Sequence, residues 1–283
     1  MTIKKRSSII HRSDWTTMTL IQWNRQICLR THESRDFYVI TACVHYHSRI
    51  VPKTGSYGKT SFVEFRMGRL NEKKRFLPIS DSFRPSNCTW LTIGIGGDAA
   101  VERAFKQLYP ECELFGIEPA ADQTATFAKY GTVISTAVGT RTGTHVMRIR
   151  TNDDYKMRNV TTETLPDILD RHVHGRRLIH FATIDIEGFE FALLNEMIDG
   201  SLNSSDVEFC QIDVELHPSL LRFHEKFLPD NEDFPHFLVR FIQRTAYLPV
   251  QAELFIGHTK IVFINPTNSE CAAMFDFYRY LVR

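Results

Sequence analysis

No C-x-x-C pair and no zinc-finger spacing connects the six cysteines, Cys28, Cys43, Cys88, Cys112, Cys210 and Cys271, which excludes a small metal-stapled domain. Their scatter reads as mostly reduced thiols. Three sequons (Asn87-Cys-Thr, Asn159-Val-Thr and Asn203-Ser-Ser) would permit glycosylation if the chain were secreted. No apolar run approaches the roughly 20 residues needed to span a bilayer; the stretch Phe37 to Val44 is among the longest. There is no broad electrostatic field either. Lys and Arg total 34 against 33 Asp and Glu, a net charge of +1, so nothing global attracts nucleic acid or an anionic membrane. The basic start, Lys4-Lys5-Arg6, reads as a solvated tail, and no apolar core follows it as a secretory leader would require. A cytoplasmic location is the resulting expectation. The G-x-S-x-G elbow, the P-loop and H-E-x-x-H are all missing, as are internal repeats.

What remains is a chain of 283 residues, 43% hydrophobic and 24% charged, ordinary for a soluble globular protein with a substantial core. Residues 1–86 differ from the rest. Trp15, Leu20, Trp23 and Ile27 fall on one helix face, Phe37 to Val44 suits a strand, and Pro52 to Gly68 reads as loops. No chemical motif stands out there, and a cap on the main domain is the reading adopted. Residues 87–283 form that main domain.

From residue 87 strands and helices alternate, which implies a mostly parallel sheet covered on both faces. Strands are expected at Thr89 to Ile95, Glu113 to Ile117, Val133 to Val138, Leu178 to Ile186 and Val207 to Val214. Helices are expected near Asp98 to Leu108, Asp122 to Tyr130, Thr161 to His172, Phe189 to Met197 and Phe234 to Arg244. Thr162 or Thr164 can cap the third of these, with Pro166 in its first turn. His145 to Arg150 suits an edge strand or hairpin arm. Gln251 to Gly257 and Thr259 to Ile264, joined at Gly257-His258, form a closing antiparallel hairpin. The fold class is α/β, a seven-stranded, mostly parallel Rossmann-like sheet with helices on both faces and that hairpin at its end.

Trp90 to Asp98 runs from an apolar strand straight into a glycine-rich turn, and Leu114 to Pro119 is a second apolar strand ending in Glu118. A turn of this kind presents bare backbone amides to a nucleotide-like ligand, and a strand-end acid holds ribose hydroxyls. Ile93, Gly94, Gly96, Gly97, Asp98, Glu118 and Pro119 are therefore the candidate cofactor-binding residues.

Two further strand ends carry acids. The fourth strand closes on Thr183-Ile-Asp-Ile-Glu-Gly-Phe-Glu190, and the fifth on Gln211-Ile-Asp-Val-Glu-Leu-His-Pro218. A carboxylate on a buried strand is costly unless something pairs with it. Asp185 or Glu187 can cap the following helix, or Asp185 can serve cofactor and acceptor. Asp213, Glu215 and His217 alternate and share one face. His217 suits a general base because its ordinary pKa lies near neutrality, although a histidine before proline is also a common turn residue. Asp185, Glu215 and His217 are the candidate catalytic residues. Asp185 with Glu215 suits a hard divalent cation, but two carboxylates do not make a site, and no metal is expected.

These pieces together resemble a known family. From about Asn87 to Ile264 the chain resembles an FkbM-type methyltransferase domain of the class I, S-adenosylmethionine-dependent kind, in a divergent branch abundant in nematodes. The resemblance rests on Ile93 to Asp98, Phe115 to Pro119, Thr136 to Gly139, Val160 to Leu169, Ile184 to Glu190 and Val214 to His217. It implies that Gly94 and Gly96 pack against the methionine part of S-adenosylmethionine and that Glu118 binds its ribose. It places the turn after Val138 near adenine and Asp185 beside cofactor and acceptor. The family commonly has an acid just before the first glycine of the loop, where this chain has Thr92.

The resulting expectation is methyl transfer to an oxygen of a small-molecule or glycan-like acceptor, with His217 as first choice of base and Asp185 as second. A nicotinamide-dependent oxidoreductase is the rival enzyme, disfavoured by the closing antiparallel hairpin and because Ala99, with Val101 and Glu102 soon after it, stands where G-x-G-x-x-G counted from Gly94 would place its third glycine. A degenerate domain retained as a binding scaffold is the non-enzymatic rival. The acceptor pocket is expected from the loops Arg150 to Asn159 and Leu220 to Asp233.

Overall fold

The computed structural model describes residues 62–68, 72–83, 88–151, 154–218 and 232–277. The helix and strand expected between Trp15 and Val44, and most of the loop expected from Leu220 to Asp233, lie outside these residues.

In chain order the strands are β1 (Val63–Arg66), β2 (Lys73–Phe76), β3 (Thr89–Ile93), β4 (Glu113–Ile117), β5 (Thr132–Ile134), β6 (Ala137–Gly139), β7 (Gly143–Thr151), β8 (Asp154–Thr164), β9 (Leu178–Ile184), β10 (Glu208–Leu216), β11 (Leu248–Phe255) and β12 (His258–Ile264). The helices are α1 (Ala100–Leu108), α2 (Leu165–His172), α3 (Glu190–Asp199), α4 (Ser201–Ser204), α5 (Phe234–Arg244) and α6 (Ser269–Phe275). Seven strands make the central sheet in the order β11-β12-β10-β9-β3-β4-β5. The neighbours from β10 to β5 run parallel, while β12 is antiparallel to both β10 and β11. This is the α/β sheet with a closing hairpin that the periodicity implies.

β3, β9 and β10 are buried along nearly their whole length, as parallel strands covered on both faces must be. One face packs Leu91, Ile93, Ile184, Ile212 and Val214 against α2, α3 and α5. The other packs Trp90, Phe105 and Phe181 with Phe65 and Phe76. Trp90 lies 4.2 Å from Phe105 and 4.9 Å from Phe76, ring centre to ring centre. The described part of the N-terminal segment is therefore an integral layer of this domain.

Local differences have local causes. Asp122 to Tyr130 forms two single 3-10 turns, Ala121–Gln123 and Phe127–Lys129, in place of a helix. The predicted third strand divides into β5 and β6. β5 joins the central sheet, whereas β6 pairs with β8 in a separate sheet with β7. Thr164, rather than Thr162, caps α2, accepting from Asp167 N at 3.4 Å. The segment Arg150 to Asn159, expected as a loop, is mostly the β7–β8 hairpin.

The reading of the cysteines as reduced thiols is overturned for those described. Cys88 pairs with Cys112, tying the start of β3 to that of β4, and Cys210 on β10 pairs with Cys271 on α6. Sequence spacing does not carry this, because both pairings are made by strands and helices distant along the chain. Disulfides persist mainly in oxidising compartments, which weighs against the expected cytoplasmic location. Among the described residues, no helix is long and apolar enough to cross a membrane.

Candidate active site

The carboxyl ends of β3, β4 and β9 open onto one crevice, as open parallel sheets dictate. It is lined by Ile93, Gly94, Ile95, Gly96, Glu118, Pro119, Val138 and Asp185, with Arg148, Arg150 and Tyr155 from the β7–β8 hairpin as the facing wall.

Backbone conformation explains two of the glycines. Gly94 has φ 90°, and a Cβ there would lie 2.0 Å from the carbonyl oxygen of Asp185, so only glycine lets the ends of β3 and β9 meet. Gly96 has φ 63°, and a Cβ there would meet nothing, because it would project into the crevice. The turn is tied to its neighbour by Glu118. Its Oε2 accepts from Ile95 N at 3.1 Å and Gly96 N at 3.3 Å, and its Oε1 from Ala120 N at 2.9 Å. Burial raises the Glu118 pKa, and these three backbone donors work against that rise. The glycine turn and the strand-end acid thus stand against each other on one crevice.

Gly97 and Asp98 face elsewhere. A Cβ on Gly97 would meet Gln123, and Asp98 Oδ1 accepts from Ala100 N at 2.8 Å at the start of α1. Asp98 lines a different hollow, with Arg103, Lys129 and Tyr130. Thr92 turns its side chain into the opposite core, accepting from Trp90 Nε1 at 2.8 Å and donating to Glu102 at 2.7 Å.

Beside the crevice lies a buried cluster of charge. Gln211, Asp213 and Glu215 share one face of β10, and that face receives β2. Arg75 N donates to Asp213 at 2.6 Å, and Leu77 N to Gln211 at 2.7 Å. This seats Lys74 with its Nζ 2.7 Å from Glu72 and 3.8 Å from Asp185. Lys260 on β12 reaches the same Glu72 at 2.5 Å. Burial opposes ionisation of Glu72, but the two lysines win and hold its pKa at about 2. The N-terminal segment therefore supplies Glu72 and Lys74 to this cluster, which no feature of the sequence signals.

Glu190, fully buried at the first turn of α3, organises the loop after β9. It accepts from Ile186 N at 2.8 Å, from Gly188 N at 2.9 Å, and meets His217 Nδ1 at 2.9 Å. The loop is strained, with Glu187 at φ 58° in the left-handed region, which costs a non-glycine residue on the order of 1 kcal/mol. Glu187 is also paired with Arg148 at 2.8 Å.

His217 Nε2 then faces Asp185 at 3.8 Å, Glu215 at 3.9 Å and Glu187 at 4.0 Å. Burial lowers the His217 pKa, but the hydrogen bond and charge of Glu190, with Asp185 and Glu187, outweigh it and raise it to about 9. His217 thus holds its proton at neutral pH and cannot accept another there. Burial, then the charge of Asp185, lifts Glu215 to about 8. Of the three candidate catalytic residues, Asp185 lines the crevice itself, while Glu215 and His217 stand behind it.

Residues 54–248 match the family described as Methyltransferase FkbM domain. No curated protein matches the chain. Among solved structures it is similar to the Methanococcus jannaschii fibrillarin pre-rRNA processing protein, at 10% identity and TM-score 0.37, covering 74% of this chain and 85% of that one. It is also similar to the N-methyltransferase NodS from Bradyrhizobium japonicum WM9, at 10% identity and TM-score 0.32, covering 82% and 99%. A third is the plantazolicin methyltransferase BpumL in complex with SAH, at 8% identity and TM-score 0.31, covering 89% and 98%. Likenesses this distant carry no functional weight; the match along the sequence does. The chain belongs to the FkbM methyltransferase domain family and is an S-adenosylmethionine-dependent methyltransferase.

Proposed function

We propose that the protein methylates a hydroxyl oxygen on a small-molecule or glycan-like acceptor. The observation that carries this is the joining of Glu118 to the Ile95 and Gly96 amides across from Asp185, with open space where a Gly96 side chain would stand. That cradle suits the adenosyl and methionine parts of S-adenosylmethionine, held by Gly94, Gly96, Glu118, Pro119 and Val138. When bound, the cofactor supplies a methyl group on a positive sulfur, which keeps the S–C bonding pair and becomes a neutral thioether as the acceptor oxygen forms the new bond.

The protein's own work is alignment, exclusion of water and removal of one proton. Asp185 is the carboxylate at the crevice wall, and it takes the acceptor's O–H proton. His217, already protonated and pinned by Glu190, stabilises the negative charge on Asp185 and fixes its direction. The arms Arg148, Arg150 and Tyr155 close the acceptor side. Arg150 donates to Gly96 O at 2.6 Å, so this wall and the cofactor turn are one unit.

Calorimetric titration with S-adenosylmethionine of wild type, Glu118→Gln and Glu118→Ala tests the reading. Each lost charge-assisted hydrogen bond to a ribose hydroxyl is worth roughly 1.5–3 kcal/mol, so Glu118→Ala should weaken binding by at least about tenfold, with Glu118→Gln in between. Unchanged affinity in Glu118→Ala would remove the ribose assignment. A screen of hydroxylated acceptors, scored by demethylated cofactor produced, then identifies the substrate.

A further inference from the structure

We propose that Glu215, His217 and His258 form a binding site for a first-row divalent transition metal, adjoining the acceptor side of the crevice. The three residues each offer a ligand atom, and these atoms lie within 4.8 Å of one another. Glu215 Oε1 is 3.2 Å from His258 Nδ1 and 3.9 Å from His217 Nε2. Donor atoms about 2.0–2.2 Å from a shared ion sit roughly 3.0–3.6 Å apart, so the Glu215–His258 pair already stands at that spacing and the Glu215–His217 pair must close by a few tenths of an ångström. His258 stands at the start of β12 and packs edge-on against His217, with ring centres 4.1 Å apart.

Unsatisfied buried atoms supply the independent support. His258 Nδ1 is buried and makes no hydrogen bond, and Glu215, 95% buried as a residue, leaves its second oxygen, Oε2, without a hydrogen bond, 3.8 Å from Lys260 Nζ. Polar atoms in that condition are costly unless something charged or polar completes them. His217 is held as metal-bound histidines are. Its Nδ1 is engaged by the Glu190 carboxylate at 2.9 Å and its Nε2 is directed into the cluster, where a metal ion would displace the Nε2 proton that the metal-free protein carries. The balance of charge points the same way. Glu72, Asp185, Glu187, Glu190, Asp213 and Glu215 converge there, while Lys74 and Lys260 lie closest to Glu72, at 2.7 and 2.5 Å, and reach Asp185 and Glu215 only at 3.8 Å, and Arg148 is paired with Glu187.

Two other groupings in the cluster are already consumed. Glu190 is filled by Ile186 N, Gly188 N and His217, and the set Glu72, Asp185 and Glu215 is crowded by Lys74 and Lys260. Two imidazole nitrogens with one carboxylate suit Mn²⁺, Fe²⁺ or Zn²⁺ over the all-oxygen preference of Mg²⁺ and Ca²⁺. The ion would stand behind Asp185 and, in place of the His217 proton it displaces, supply the positive charge that steadies that carboxylate. This role rests on the methyltransferase reading; the binding of metal does not.

The test uses the full chain, free of any affinity tag, stripped with a chelator and dialysed. Mn²⁺ titration is followed by electron paramagnetic resonance, and Zn²⁺ and Mg²⁺ titrations by calorimetry. One Mn²⁺ or Zn²⁺ per chain is expected, with Mg²⁺ at least tenfold weaker. His258→Ala and Glu215→Gln should each weaken Mn²⁺ at least tenfold, with His258→Asp retaining more affinity than alanine. His258 sits at the hairpin edge, so its variants test the site where Glu215 variants fail to fold. Absence of stoichiometric Mn²⁺ and Zn²⁺ binding, or unchanged binding in His258→Ala, overturns the site. Calorimetry with the demethylated cofactor on the same stripped protein separates the two ideas: cofactor bound without metal refutes the metal site alone, and metal bound without cofactor refutes the cofactor cradle alone.

Discussion

Replacing Glu190 with glutamine separates an organised site from a loose gathering of charge. The substitution keeps size and removes the charge that Ile186 N, Gly188 N and His217 share. That charge is a principal reason the His217 pKa rises from 6.5 to about 9 against the opposing effect of burial. A histidine raised on folding contributes stability in full below the unfolded value of 6.5, and loses it as pH climbs through about 9. At about 1.4 kcal/mol per tenfold change in proton affinity, the contribution is about 3 kcal/mol. Urea unfolding of chelator-treated protein at about pH 6 and about pH 10 measures it. Glu215, raised from 4.5 to about 8 by burial and by Asp185, loses stability in the same direction over this window in both proteins. The difference between the two proteins therefore carries the answer. Wild type should lose up to about 3 kcal/mol more than Glu190→Gln between the two pH values, the part of the rise due to Asp185 and Glu187 remaining in both. Parallel pH dependences, within about 1 kcal/mol, would refute the pairing of Glu190 with a protonated His217.

Two further outcomes follow from the buried groups. Glu102 is lifted to about 6 by burial, against the hydrogen bond from Thr92, and its Oε2 has no partner. Its raised pKa gives stability below 4.5 that is lost through about 6. Glu102→Gln should therefore unfold up to about 2 kcal/mol later than wild type at neutral pH, and show no gain near pH 4; a loss at neutral pH would contradict this. The Cys210–Cys271 bond spans 61 residues, and closing a loop of that size removes about 4 kcal/mol of unfolded-state entropy in the chain model. The double substitution Cys210→Ser, Cys271→Ser should lower stability by up to that amount, as read from denaturant midpoints under non-reducing conditions.

Much of the architecture follows from local pattern alone. The apolar runs Thr89 to Ile93 and Leu178 to Ile184 demand burial on both faces, and helical segments between them force parallel pairing. Glycine at 94 and 96 and the acid at 118 announce a ligand crevice, since those residues at those strand ends have a backbone and charge purpose that near neighbours explain. The Phe234–Arg244 helix is legible to the residue because Asp233 and Pro235 mark its start. By contrast, Asp122 to Tyr130 has helical composition but serves as a tight pair of turns beneath β4, where Phe127 must meet Gly116.

What the chain determined unaided was its sheet, its closing hairpin and the crevice-lining ends of β3, β4 and β9, because periodicity and turn chemistry act between residues close in sequence. What folding alone decided was everything that depends on meetings across long separations. These are the arrival of Lys74 and Glu72 beneath β10, the stacking of His258 on His217, the burial that moves their proton affinities, and the two cystine bridges. A charge or thiol carries no mark of its eventual partner; proximity in a low-dielectric interior supplies it.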